Sequence, residues 1–257
     1  MSTPDFPDAF TLIGKTILVT GASSGIGAAT AALCARLGAT LVINGRDRER
    51  LDSTLAGLVP AQVGEHIAVA GDLDFPETRN ALLEACPAYD GMAYCAGISA
   101  LAPFRMLSEK HLQQMLSADF LAPVLLAQQL LSKRRFRHGA SLVFISTVGT
   151  HIKSVAGAAL HAAKAALEVA VCTLALEHAR QGIRANCIAP GYTQTPMLEK
   201  LAVVGGNLAD SMAMAPLGVI LPEDIAAAVA YHLSDASRWI TRSTLKIDSG
   251  LTLRFRP

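Results

Sequence analysis

T-G-A-S-S-G-I-G, residues 20–27, stands between the apolar run Thr16-Ile17-Leu18-Val19 and an alanine-rich segment that ends at Gly38. A short apolar run of this kind reads as a parallel strand buried on both faces, the segment after it as a helix, and the glycines between them as a strand-to-helix turn. Glycines at 21, 25 and 27 let the backbone turn tightly and approach a ligand with no Cβ in the way. The new helix directs its free N–H groups and the positive end of its dipole at the same point, which suits a pyrophosphate. A glycine-rich turn made for packing alone has the same local sequence, and only the rest of the chain separates the two readings.

The chain has 257 residues, with 22 Lys plus Arg against 21 Asp plus Glu, a formal charge of +1 and no block of either sign. That balance gives nucleic acid or an anionic membrane little to hold and points to a small-molecule partner. Five cysteines, at 34, 86, 95, 172 and 187, are odd in number and lack C-x-x-C spacing, which argues against a disulfide framework and against a metal site. The N-terminal stretch M-S-T-P-D-F-P-D-A-F is acidic and broken by proline, unlike a signal or transit peptide. No uninterrupted apolar run reaches the roughly 18 residues of a spanning helix, and a cytoplasmic location is expected. A hydrophobic share of 51% with few aromatics suits a sheet covered on both faces and helices buried at a subunit interface. Length and the alternation of strands with helices indicate one α/β domain over 1–257.

After the first helix, Thr40–Asn44 reads as a second strand, running through Gly45-Arg46 into a charged helix from Asp47 to about Leu58. A carboxylate at the end of such a strand accepts hydrogen bonds from an adenosine ribose and repels a 2′-phosphate, whereas an arginine binds that phosphate. Gly45 stands at the carboxylate position with Arg46 beside it, which favours NADP(H) over NAD(H); a solvated helix-start residue is the other reading of Arg46. His66–Ala70 is a third strand, ended by Gly71-Asp72-Leu73, and Asp72 alternatively caps a helix over Phe75–Cys86. Gly91–Tyr94 is the fourth strand, followed by Cys95-Ala96-Gly97. The amphipathic segment Ser108–Leu131 comes next, with Pro123 expected to kink it. Ser141–Ile145 is the fifth strand and delivers Ser146 at its carboxyl end, where open α/β sheets bind ligands. A long helix from near Ala156 carries Lys164, Gly182–Ile188 is the sixth strand, a helix runs from Pro222 to about Leu233, and Thr244–Ile247 is the seventh strand.

The G-x3-G-x-G spacing at 21–27, Ala96-Gly97, Ile145-Ser146-Thr147, Lys164 and the Pro190-Gly191 turn stand in family order and spacing. From about residue 13 to 252 the chain resembles the short-chain dehydrogenase/reductase family, in its 3-oxoacyl-reductase-like branch. The resemblance implies a single-domain, Rossmann-type, doubly wound α/β fold with a parallel sheet of about seven strands. It implies that Gly21, Ser23, Ser24, Gly25, Ile26 and Gly27 surround the phosphates and that Asp72 and Leu73 contact the adenine. Ala96 and Gly97 would approach the ribose, and Pro190, Gly191, Thr193 and Thr195 the nicotinamide. Ser146 matches the serine that donates to a substrate carbonyl, and Lys164 the lysine that bonds the nicotinamide ribose. Residues 197–216, with Gly205-Gly206 and methionines at 197, 212 and 214, match the substrate-covering loop. A homodimer or homotetramer through the helices at Ser108–Leu131 and Ala156–Ala179 is implied, with a hetero-oligomer with an active homologue as the other possibility.

Three positions depart from the family. Its Y-x-x-x-K places a phenol one helical turn before the lysine, on the same face; four residues before Lys164 stands Leu160. General acids contribute about 10²- to 10⁴-fold in rate, and leucine cannot move a proton. Tyr94-Cys95 replaces the asparagines of N-N-A-G. Aligning N-L-x-G-P with Asp119–Pro123 puts Asp119 where the family has an asparagine whose carbonyl holds a relay water, so either that water persists or a carboxylate faces Lys164. Tyr192, beside the Pro190-Gly191 turn, is the plausible stand-in acid; His151 and His161 are weaker ones. The expected activity is an NADP(H)-dependent oxidoreductase interconverting a carbonyl and an alcohol. A catalytically silent cofactor-binding subunit and a reductase of an activated double bond are the alternatives.

Overall fold

The computed structural model describes residues 8–199 and 215–253. Its sheet has seven strands, β1 (Thr16–Thr20), β2 (Thr40–Gly45), β3 (Ile67–Ala70), β4 (Tyr89–Tyr94), β5 (Phe136–Ile145), β6 (Arg184–Pro190) and β7 (Thr244–Ile247). The spatial order is β3-β2-β1-β4-β5-β6-β7 and every pairing is parallel. Strand order reverses between β1 and β4, and that switch point opens a crevice beyond their carboxyl ends.

Seven helices that lie wholly among the described residues flank the sheet: α1 (Gly25–Arg36), α2 (Arg48–Ala56), α3 (Pro76–Ala85), α4 (Glu109–Leu116), α5 (Ala122–Ser132), α6 (Ala158–His178) and α7 (Pro222–Leu233). On one face Leu82, Leu126, Leu130, Leu167 and Val171 pack on Leu18, Met92, Leu142 and Phe144. On the other, Ala31, Cys34, Leu51, Ile225 and Val229 pack on Ile17, Val19, Ile43 and Val143. Alternate residues of each central strand therefore serve opposite layers, and both sets are apolar, as a doubly covered parallel sheet requires. All five cysteines are free.

The segment expected as one kinked helix is two helices joined by a π turn over Ser117–Leu121. Pro123 supplies the reason: it has no N–H to give and its ring crowds the carbonyl four residues back, that of Asp119, so the ladder skips a register there. By length and composition Glu109–Ser132 and Ala158–Gln181 would pass for membrane-crossing helices, with mean hydropathies of 1.3 and 1.5, although neither is an unbroken apolar run. Here each lays one face on the sheet. Strand β5 starts at Phe136, earlier than the sequence suggests, because Phe136 pairs with Tyr89 before a bulge resets the register at Gly91. Residues 200–214 of the expected covering segment, including Gly205, Gly206, Met212 and Met214, lie outside the described residues.

Candidate active site

The β1–α1 turn forms one wall of the crevice. Gly21 and Gly25 adopt φ of +65° and +52°, a region glycine enters without strain. A Cβ on Gly21 would stand 2.7 Å from the amide nitrogen of Ala96, and one on Gly25 would stand 3.1 Å from Thr195, so these glycines let three loops converge. Ser24 is the N-cap of α1 but makes no side-chain cap bond, whereas Asp47 and Ser108 do cap α2 and α4. The first-turn N–H groups at Gly25, Ile26 and Gly27 thus retain their capacity for an anion. Ser23 and Ser24 are half-buried beside them. The residues present fit the diphosphate of a dinucleotide.

At the outer end, a Cβ on Gly45 would meet Ser23 Cβ at 3.0 Å and Oγ at 3.1 Å, so a carboxylate there would need Ser23 to give by a few tenths of an ångström. Arg46 is 64% exposed and stands 3.7 Å from Asp72 across the β2 and β3 ends. Asp72 accepts from the Asp74 N–H at 3.0 Å and does not cap α3, whose N-cap is Phe75. Leu73 is buried, and its carbonyl accepts from Arg79 at 2.5 Å.

The inner end gathers around Lys164. Its ammonium is buried, donates to the Ile145 carbonyl at 2.8 Å and stands 2.9 Å from Asp119 Oδ1. Asp119 is fully buried. The π turn places its carboxylate beside the lysine, so a carboxylate does face Lys164. Burial pushes the Asp119 pKa up, opposed by the Lys164 charge and by the Ile98 amide. Gly97 admits the carboxylate, since a Cβ there would lie 2.6 Å from Oδ1. Although Cys95 cannot tie the end of β4 as an asparagine would, Thr20 Oγ1 accepts from the Cys95 and Ala96 N–H groups at 3.1 and 3.2 Å. Burial pushes the Cys95 thiol up to about 12.

Ser146 follows Phe144 on the α6 side of the sheet, is buried, and donates its proton to Glu168 on α6 in a short hydrogen bond. Thr150 donates to the same Glu168 oxygen at 2.9 Å. Glu168 was not singled out from the sequence, although it lies one turn after Lys164. Thr147 is extended, with φ −155° and ψ 147°, so its side chain takes the opposite direction from Ser146. Its hydroxyl accepts from the Gly149 N–H at 3.2 Å, and among the described residues no acceptor takes its own proton.

On the β6 side, Pro190 is buried, Gly191 backs onto Asp248, Thr193 donates to the Gly191 carbonyl at 3.3 Å, and Thr195 donates to the Thr193 carbonyl at 3.3 Å. Tyr192 is half-buried in this segment, its carbonyl accepting from Ile220 at 3.2 Å. Tyr89 is committed to the Leu82 carbonyl, Tyr94 stacks on Phe144 in the core, and Tyr231 packs near Phe10 and His232. His151 is exposed. His161 is buried between Gly149 and Gly157, where Cβ atoms would come within 2.2 and 2.3 Å of its ring.

A parallel sheet with a glycine-lined helix start at its switch point and a buried α6 lysine bonded to the end of β5 defines a dinucleotide-dependent α/β enzyme. A family model described as Enoyl-(Acyl carrier protein) reductase matches residues 21–252. The chain is 33% identical over 250 residues to 3beta-hydroxysteroid dehydrogenase 1 of Eggerthella lenta, covering 94% of this chain and 95% of that one. It is 30% identical over 246 residues to a 3-oxoacyl-[acyl-carrier-protein] reductase of Thermotoga maritima, covering 94% and 99%. A solved structure from Beutenbergia cavernae, assigned as an NAD(P)-dependent gluconate 5-dehydrogenase with NADP bound at low occupancy, superposes with a TM-score of 0.85 at 29% identity, covering 96% and 100%. The chain belongs to the short-chain dehydrogenase/reductase family and is an oxidoreductase of the carbonyl–alcohol class.

Proposed function

We propose that this enzyme uses NADP(H) to interconvert a ketone, of simple or 3-oxoacyl type, and its alcohol, without a phenolic acid at position 160. The observation that carries the cofactor choice is Gly45, which brings no carboxylate and is crowded by Ser23, with Arg46 exposed beside it. Arg46, with Ser23 and Ser24, would hold the 2′-phosphate; Gly21 to Gly27 the diphosphate; Asp72 and Leu73 the adenine; Ala96, Gly97 and Lys164 the inner ribose; and Pro190, Gly191, Thr193 and Thr195 the carboxamide end. When bound, the nicotinamide supplies or accepts the hydride. Thr147 has an uncommitted hydroxyl proton and donates to the substrate oxygen in this reading, while Ser146, committed to Glu168, holds the strand end and α6 together. Tyr192 supplies the proton from the Pro190-Gly191 segment.

The test is single-turnover hydride transfer from NADPH to ketones, 3-oxoacyl thioesters and α,β-unsaturated thioesters, with NADPH binding followed in parallel. Turnover of a ketone, lost in Tyr192→Phe with binding kept, is the expected result. Binding without turnover of any substrate overturns the activity and leaves a cofactor-binding role, and turnover of the unsaturated thioester alone moves the chemistry to a double bond. We further propose a homo-oligomer formed through α5 and α6, where Val169 and Leu176 are exposed beside a groove of about 530 Å³. Val169→Glu should convert the assembly to monomer by light scattering; an unchanged mass would refute it.

A further inference from the structure

We propose that Asp119 is the counter-ion of Lys164 in place of any group at position 160, so that the ammonium reaches the cleft already neutralised. The proposal rests on the dinucleotide reading only for the name of the cleft. Lys164 has three N–H donors. One serves the Ile145 carbonyl, and the ammonium stands 2.9 Å from Asp119 Oδ1 as an ion pair. Among the described residues no other carboxylate is within ion-pair distance of this lysine. Glu168, one turn further along α6, is turned to Ser146 and Thr150 instead.

Several residues build this arrangement together. Pro123 forces the π turn that presents Asp119, Gly97 leaves the space its carboxylate fills, and both charges are out of water. A lone buried ammonium would draw a proton off a phenol one helical turn away. An ammonium already in contact with a carboxylate presents nearly no net charge at that distance. Leucine at 160 and aspartate at 119 are therefore one coupled feature: with no phenolate to balance Lys164, the carboxylate does so. Asp119 acts here as a positioning residue, through Lys164.

The test needs no cofactor, so its failure is separate from a failure to bind or use NADP(H). Leu160→Tyr places a phenol in the family position, and its ionisation is read from tyrosinate ultraviolet absorbance against the wild type. The new phenol should titrate at or above its ordinary value of about 10. In Leu160→Tyr/Asp119→Asn it should titrate at least about one pH unit lower, a tenfold change in ionisation. Equal values in the two variants, or a single variant that already titrates low, would overturn the proposal. Because Asp119→Asn leaves a buried ammonium unbalanced and the variant can fail to fold, Leu160→Tyr/Asp119→Asn/Lys164→Gln is the second probe. Replacing a neutral pair by a neutral pair should leave the phenol where Leu160→Tyr alone put it, and a rise of a unit or more would show that Lys164 acts unneutralised.

Discussion

Arg46→Ala is the most direct probe of cofactor choice. A hydrogen bond to a charged group contributes about 1.5–3 kcal/mol when well sheltered. Arg46 is 64% exposed and shares its position with Asp72 at 3.7 Å, so water screening and a neighbouring carboxylate both reduce its value. About 1–2 kcal/mol remains, which is a 5- to 30-fold loss of NADPH affinity. NADH has no 2′-phosphate for Arg46 to hold, and its affinity should change less than about twofold. Asp72→Asn should act in the opposite direction on NADPH, because it frees Arg46 and removes a like charge from the phosphate's neighbourhood. Fluorescence titration of both cofactors at two salt concentrations provides the assay, with the NADPH preference shrinking as salt rises. An equal loss for both cofactors in Arg46→Ala, or none for either, would refute the assignment and return Arg46 to a solvated helix-start residue.

Gly27→Ala places a Cβ 2.2 Å from the Gly21 carbonyl oxygen. Backbone cannot yield as a side chain does, so a cost at or above about 3 kcal/mol and a fall in Tm of roughly 6–12 °C are expected by calorimetry. Thr147→Val should slow single-turnover hydride transfer on the order of 10²-fold with NADPH binding kept, and Ser146→Ala by less than about tenfold; the reverse ranking would make Ser146 the substrate-facing hydroxyl. The His161 pKa is held below 6.5 by burial and by the nearby Lys153 charge. Its folded pKa is depressed, so its contribution to stability is whole above about pH 6.5 and is lost as pH falls below that. His161→Gln should flatten the decline in Tm between pH 6.5 and 5, and an unchanged decline would place its origin elsewhere, for instance at buried His232, whose pKa is also lowered.

The parallel sheet was legible because its signals are local. Apolar runs at 16–19, 40–43 and 141–145, each ending at a turn, need no knowledge of their neighbours to be read as buried strands. The glycine turn was legible for the same reason, and so was a break before Pro123. The form of that break was not: a π turn depends on where the freed Asp119 carbonyl and side chain can go, which packing against Gly97 and Lys164 decides. Thr147 and Glu168 were within reach. Alternation along β5 puts Ser146 on the same side as Leu142 and Phe144, towards α6, and the i, i+4 relation puts Glu168 on the Lys164 face of that helix. The family motif drew attention to Ser146, and the side-chain alternation directs it towards α6, where Glu168 accepts its proton.

The three departures from the family have different consequences, and the difference bears on what kind of catalyst this is. The asparagines missing at Tyr94-Cys95 are compensated structurally, because Thr20 bonds the N–H groups that follow β4. Asp119 is compensated electrostatically, by Lys164 at 2.9 Å. Leu160 has no such tie among the described residues: it is half-buried on α6, the buried tyrosines are committed to the core, and His161 is turned into its glycine cradle. The elements that would bind and orient a dinucleotide are thus re-tied in this chain, whereas in the proposed reading the proton donor is relocated to Tyr192. Ground-state binding and the hydride geometry should be near those of an ordinary family member, with the deficit concentrated in the proton step.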